Sequence, residues 1–147
     1  MQKQILYAFV SASILLGTGI GQTHPRFQFF KMKKGEGLVS LVVPARTTDK
    51  ELTSLLRFIQ SQVQSGKFSE LGITQPTDKR YGKFGYGAGI ISIYRGTKCA
   101  NEQFIDDLGP CGYGEHEAAS YKWGVHSDPR KDEALIRGQN GDLQKVF

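Results

Sequence analysis

The clearest periodicity in the chain lies between Thr48 and Gly66. Leu52, Leu55, Leu56, Ile59 and Val63 fall at i, i+3, i+4, i+7 and i+11, a single apolar stripe at helical spacing. Thr48-Asp49-Lys50-Glu51, just ahead of it, has capping-box spacing. A threonine hydroxyl and a glutamate carboxylate three residues apart satisfy each other's orphan backbone amides. Gly66 behind the stripe suits a left-handed cap. The pattern predicts one amphipathic helix whose narrow apolar stripe packs on one face of a sheet.

The remaining hydrophobic segments are short and read as strands. Residues 27–32 are aromatic-rich and are broken by the turn Lys33-Lys34-Gly35-Glu36-Gly37. Residues 38–43 are rich in β-branched side chains and stop at Pro44, so the two segments pair as a hairpin. Ile90, Ile91 and Ile93 give residues 88–94 the composition of a buried strand. Residues 118–124, with Tyr121 and Trp123, read as another, and residues 143–147 as a last strand closing the sheet. Ser127-Asp128-Pro129 has the residue types that start a helix, here a short one ended by Gly138. One helical turn is expected at 102–107, and 67–85 reads as irregular.

Strand, helix and strand in this order make a crossover that lays 38–43 parallel to 88–94. The expected fold class is α+β: a small mixed or antiparallel sheet of about four to five strands, with one main amphipathic helix on one face. The opposite face then needs loops, an extra helix or a partner to cover it.

The succession Val42-Val43-Pro44, Thr47-Thr48-Asp49 and a helix leads to a strand ending Ile93-Tyr94 and then to Glu117-Ala118-Ala119-Ser120-Tyr121-Lys122-Trp123. It resembles small, functionally uncharacterised bacterial domains of βαββ type, often found in exported proteins. The likeness covers residues 38–123 and rests on short motifs. It implies the order of elements, and it brings no activity and no functional residues.

Composition narrows the class without naming a function. The 147 residues suit one domain, and 39% hydrophobic with 22% charged residues is a globular balance. Lys3 precedes an uncharged stretch, 5–20, and Gly19 and Gly21 stand at −3 and −1 of a cut before Gln22. That is the pattern of a secretory signal peptide at 1–21, removed to leave 22–147 as a single α+β domain. The stretch is shorter than the roughly 20 residues that cross a bilayer, so no membrane span is expected after cleavage. Arg26, Lys31, Lys33 and Lys34 follow it closely and outnumber Lys3. Positive flanks resist translocation, which leaves open an uncleaved anchor, or a buried first element of a cytosolic domain. Cys99 and Cys111, in a loop rich in Gly, Pro and Asp, read as one disulfide of a periplasmic or secreted protein.

The formal charge of +5 and pI near 9.2 suit an acidic partner, and equally suit plain solubility. Lys79, Arg80, Tyr81, Lys83, Phe84 and Tyr86 interleave cations with aromatics and are the candidate binding surface, with Lys31, Lys33 and Lys34 as an extension. The alternative is a solvated loop with one ring tucked into the core. His116 stands between Glu115 and Glu117 and is the candidate general base or metal ligand. The HExxH spacing is absent, and a solvated loop histidine fits the same residues. The glycine run Gly82, Gly85, Gly87, Gly89 leads into a strand, whereas a dinucleotide fingerprint opens a helix. No metal and no cofactor is implied.

The reading is an exported, non-enzymatic binding domain for an envelope protein or an acidic polymer, with nucleic acid not favoured. Two alternatives stand beside it. One is a small hydrolase or metal-dependent enzyme using His116 with Glu115 or Glu117. The other is a structural subunit that hides a bare sheet face in an oligomer.

Overall fold

The computed structural model describes residues 24–33, 38–73, 89–100, 111, 116–124, 131–138 and 140–147. Period-2 alternation and β-branched residues build six strands: β1 (Gln28–Lys33), β2 (Leu38–Val43), β3 (Gly89–Arg95), β4 (Glu117–Trp123), β5 (Asp132–Arg137) and β6 (Leu143–Lys145). They lie in one sheet in the order of the chain, β1 to β6. β2 and β3 are parallel, and the other neighbours are antiparallel. The parallel pair is joined through the helix α1 (Asp49–Gln64), as the crossover rule requires.

The helix carries the predicted signals at both ends. The Thr48 hydroxyl accepts from the Glu51 amide at 3.3 Å, and the Thr48 amide donates to Glu51 Oε2 at 2.7 Å. Beyond the cap at Ser65, the Gly66 amide donates to the Val63 carbonyl and the Lys67 amide to the Gln62 carbonyl. That pair of bonds is a Schellman motif, and it needs the positive φ of 69° that Gly66 supplies. Leu52, Leu55, Leu56, Ile59 and Val63 are all buried.

The stripe packs on one face of the sheet. There it meets Val39, Leu41 and Val43 of β2, Ile91 and Ile93 of β3, Ala119, Tyr121 and Trp123 of β4, and Ala134 and Ile136 of β5. Polar side chains pin the same interface. Asp132 Oδ2 accepts from Gln60 at 3.0 Å, from Gln64 at 3.1 Å and from the Tyr121 hydroxyl at 2.9 Å. Helix and two strands are therefore tied through one carboxylate.

The sheet has six strands, close to the four to five expected. One expectation needs correction. The helix expected to end at Gly138 is strand β5 over its described part. Asp132-Glu-Ala-Leu-Ile-Arg137 holds good helix formers, but its buried residues, Ala134 and Ile136, are two apart rather than three or four. Pairing with β4 satisfies the whole segment and places those two under α1.

The stretch expected to be irregular also holds a 3₁₀ turn, Phe68–Leu71, with Phe68 and Leu71 buried. Gly72 follows it at φ 77°. A Cβ there would lie 2.6 Å from the Phe29 Cβ, so both backbone angle and space demand glycine. The expected helical turn at 102–107 lies outside the described residues.

Cys99 and Cys111 form a disulfide, with their Cα atoms 5.4 Å apart. A structural disulfide of this kind belongs to an oxidising compartment. Among the described residues no helix is long and apolar enough to cross a membrane.

Candidate binding cleft on the second sheet face

The face of the sheet turned away from α1 is polar at its centre. Ser40 on β2, Ser92 on β3 and Ser120 on β4 are direct register partners, so three serines form a row across three adjacent strands. All three are buried, at 1%, 2% and 4% exposure. Val42, Tyr94 and Ala100 form a small apolar cluster beside the row, with Phe30 and Cys99 packed against it. The middle of this face is thus covered within the single chain.

Simple alternation along β4 puts Glu117 on the same side as Ala119, Tyr121 and Trp123, in the hydrophobic core. The register prevents this. Ala119 pairs with Ile93 while Glu117 pairs with Tyr94, so Ala118 is an extra residue in a β-bulge. The bulge turns Ala118 into the core and Glu117 out to the serine face. There the Ser92 hydroxyl donates to Glu117 Oε2 at 2.5 Å, and Ser120 lies on the same face, next in the serine row. Burial pushes the Glu117 carboxyl above its ordinary value of 4.5, against the opposing pull of the two serines, Lys122 and Arg137. Burial, with the Glu117 charge as the lesser cause, pushes the Tyr94 phenol up as well.

Glu117 opens into a cleft of about 390 Å³. The end of β3 contributes Tyr94 and Arg95, and the following turn Lys98 and Cys99. His116 just before β4 and Glu117 and Ala118 at its start contribute next, with Arg137 at the end of β5 and Gly138 and Gly141 of the connection to β6. Lys98 and His116 are exposed at the rim. Arg95 is committed to the fold: its guanidinium pairs with Asp49 at 2.5 Å and donates to the Thr47 carbonyl at 2.8 Å. Arg137 is only partly committed. Its Nη1 donates to the Gly141 carbonyl at 3.0 Å, and its Nε is buried with no partner among the described residues. Arg137 thus brings a charged guanidinium to the wall of the cleft, with its hydrogen bonding only partly used among the described residues.

The predicted site residues fall unevenly on this geometry. Glu117 and His116 share the cleft, though among the described residues no hydrogen bond joins them. Lys79, Arg80, Tyr81, Lys83, Phe84, Tyr86 and Glu115 lie outside the described residues, as do Lys34, His126 and Asp128. Lys31 and Lys33 sit on β1 at the sheet edge. Cys99 lines the cleft as half of the disulfide. Among the described residues no cluster of three His, Cys, Asp or Glu side chains is placed to hold a metal.

Sequence reasoning missed Lys98, Tyr94, Arg137 and the serine row. The row had left a signal: Leu38-Val-Ser40, Ile90-Ile-Ser92 and Ala118-Ala-Ser120 each put a serine third in an apolar run. Arg137 was hidden by its assignment to a helix.

Fold and site together define a disulfide-bearing α+β domain with a cation-rimmed cleft. No family model matches the chain, and no curated protein or solved structure is similar to it.

Proposed function

We propose that this protein is an exported, non-enzymatic binding domain that holds an acidic ligand in the cleft between β3, β4 and the β5–β6 connection. One observation carries the reading: the buried Nε–H of Arg137 has no partner among the described residues and belongs to a guanidinium that lines the cleft. A planar fork of N–H donors matches a carboxylate or phosphate edge, and burial strengthens each charged hydrogen bond. Lys98 at the rim and a net charge of +5 add attraction over longer range. The cation–aromatic run 79–86, outside the described residues, belongs to the same proposal as a second contact for an acidic polymer.

The test is retention on an acidic polysaccharide column over a salt gradient. Arg137→Gln is expected to elute at lower salt than the wild type, and changing Lys79, Arg80 and Lys83 together to alanine to lower it further. Wild-type elution by both variants removes the proposal. Export is tested separately. The intact mass of protein taken from the cell envelope reports cleavage before Gln22, and full-length chain from cytosol with two free thiols removes that part.

A second reading has His116 and Glu117 in one cleft as its support: a hydrolase with the imidazole as general base and the Glu117 carboxyl as its partner. It requires turnover that depends on His116. Ester, phosphoester and glycoside substrates left untouched by the wild type, or hydrolysed equally by His116→Ala, rule it out.

A further inference from the structure

Resting on the acidic-ligand reading above, we infer that the cleft selects an oxyanion that itself carries an O–H group, because Arg137 and Glu117 face the same ligand. Arg137 calls for negative charge. Glu117 stands in the same cleft and would repel a bare anion seated on that guanidinium. A hydrogen shared between ligand and Glu117 turns this repulsion into a charge-assisted hydrogen bond. Ligands without such a hydrogen leave a buried carboxylate facing a buried anion, and the site rejects them.

The carboxyl is fixed for this task. The Ser92 hydroxyl donates to Oε2 at 2.5 Å, which orients the group within the cleft. The bulge at Ala118 aims it, since without that extra residue the side chain would enter the core. Among the described residues, the other charged or titratable groups near it are Tyr94 on β3, His116 just before β4, Lys122 on β4 and Arg137 on β5. Among the described residues that line the cleft, Glu117 is the single carboxylate. A proton-free anion can be accommodated when Glu117 first takes a proton from water. Its affinity therefore falls as pH rises, while that of an O–H-bearing anion holds.

Two ligand sources share this chemistry. Hydrogen phosphate is one, and a hydroxy acid of the sugar-acid kind is the other. Each has a partner of equal charge and similar shape that lacks the hydrogen: sulfate for hydrogen phosphate, cyclohexanecarboxylate for glucuronate.

The experiment is calorimetric titration of the oxidised full chain at pH 8 with these four anions. Tighter binding of one O–H-bearing anion than of its partner, by about tenfold or more, is the expected result. Discrimination in the first pair assigns phosphate, and in the second a sugar acid. Glu117→Gln, whose amide both donates and accepts, is expected to bring the favoured ratio within about threefold. Anions that bind without discrimination in either pair overturn this inference and leave the acidic-ligand reading standing. So does a ratio unchanged in folded Glu117→Gln. No binding of any of the four overturns both. The wild-type ratios decide between these outcomes even where the variant fails to fold.

Discussion

The two faces of the sheet are built from different chemistry. Under α1, the interface is aliphatic and aromatic, and its one polar node, Asp132, has its Oδ2 bound by three donors. On the opposite face, buried serines surround a carboxyl pushed above its ordinary range, and an arginine N–H is left open. The first face is satisfied as it stands. The second holds polar groups whose partners are incomplete among the described residues, and unsatisfied buried groups in a native protein call for a reason. The contrast is that between a surface built for stability and one built to receive something.

Breaking the comparison begins under the helix, where the largest effects lie. Leu55→Ala or Ile59→Ala, both at fully buried positions, should each destabilise the domain by about 2–5 kcal/mol, seen as a fall in denaturant midpoint. Next comes the staple: serine at both Cys99 and Cys111 should cost roughly 2–4 kcal/mol, because closing a short loop restricts the unfolded chain. A loss confined to ligand binding would make the disulfide part of the cleft alone. Asp132→Ala strands two glutamine amides and one phenol, with an expected cost of about 1–3 kcal/mol. The double change with Tyr121→Phe should be clearly less than additive, as a double-mutant cycle would register.

Two smaller effects sharpen the view of the opposite face. Glu117 holds its proton more tightly in the folded chain than an ordinary glutamate does in the unfolded one. The stability this confers is complete below the unfolded value of about 4.3 and is lost as pH rises through the raised folded value. Relative to Glu117→Gln, the wild type should therefore lose stability as pH rises above the ordinary glutamate range, in unfolding curves taken across pH. A difference that grows with pH would contradict the direction of the shift. Smallest of all is Ser40→Ala. The buried hydroxyl has no partner among the described residues, so its removal should be neutral or slightly stabilising, within about 1 kcal/mol.

The helix was legible in the sequence because three independent signals agreed there: the stripe, the capping box and Gly66. The parallel pairing of β2 with β3 followed from chain order and handedness alone. β5 was not legible, because Glu133, Ala134, Leu135 and Arg137 all favour helices on their own and only pairing with β4 decides otherwise. The cleft was half legible. His116 and Glu117 stood out as ionisable neighbours, but the bulge that re-aims Glu117 leaves no mark in a period-2 pattern. Arg137 enters the site from the end of β5, twenty residues further along, which local spacing cannot reveal.

The order of strands has a consequence for how the polypeptide assembles. Sheet position repeats chain position from β1 to β6, with no strand inserted later between two earlier ones. A chain emerging amino end first therefore always finds its next docking edge already laid down. Only the passage over α1 requires waiting for a distant segment, and each later strand then adds to a growing margin. Such an architecture can be completed by accretion, one rib at a time, with β6 as the closing hem.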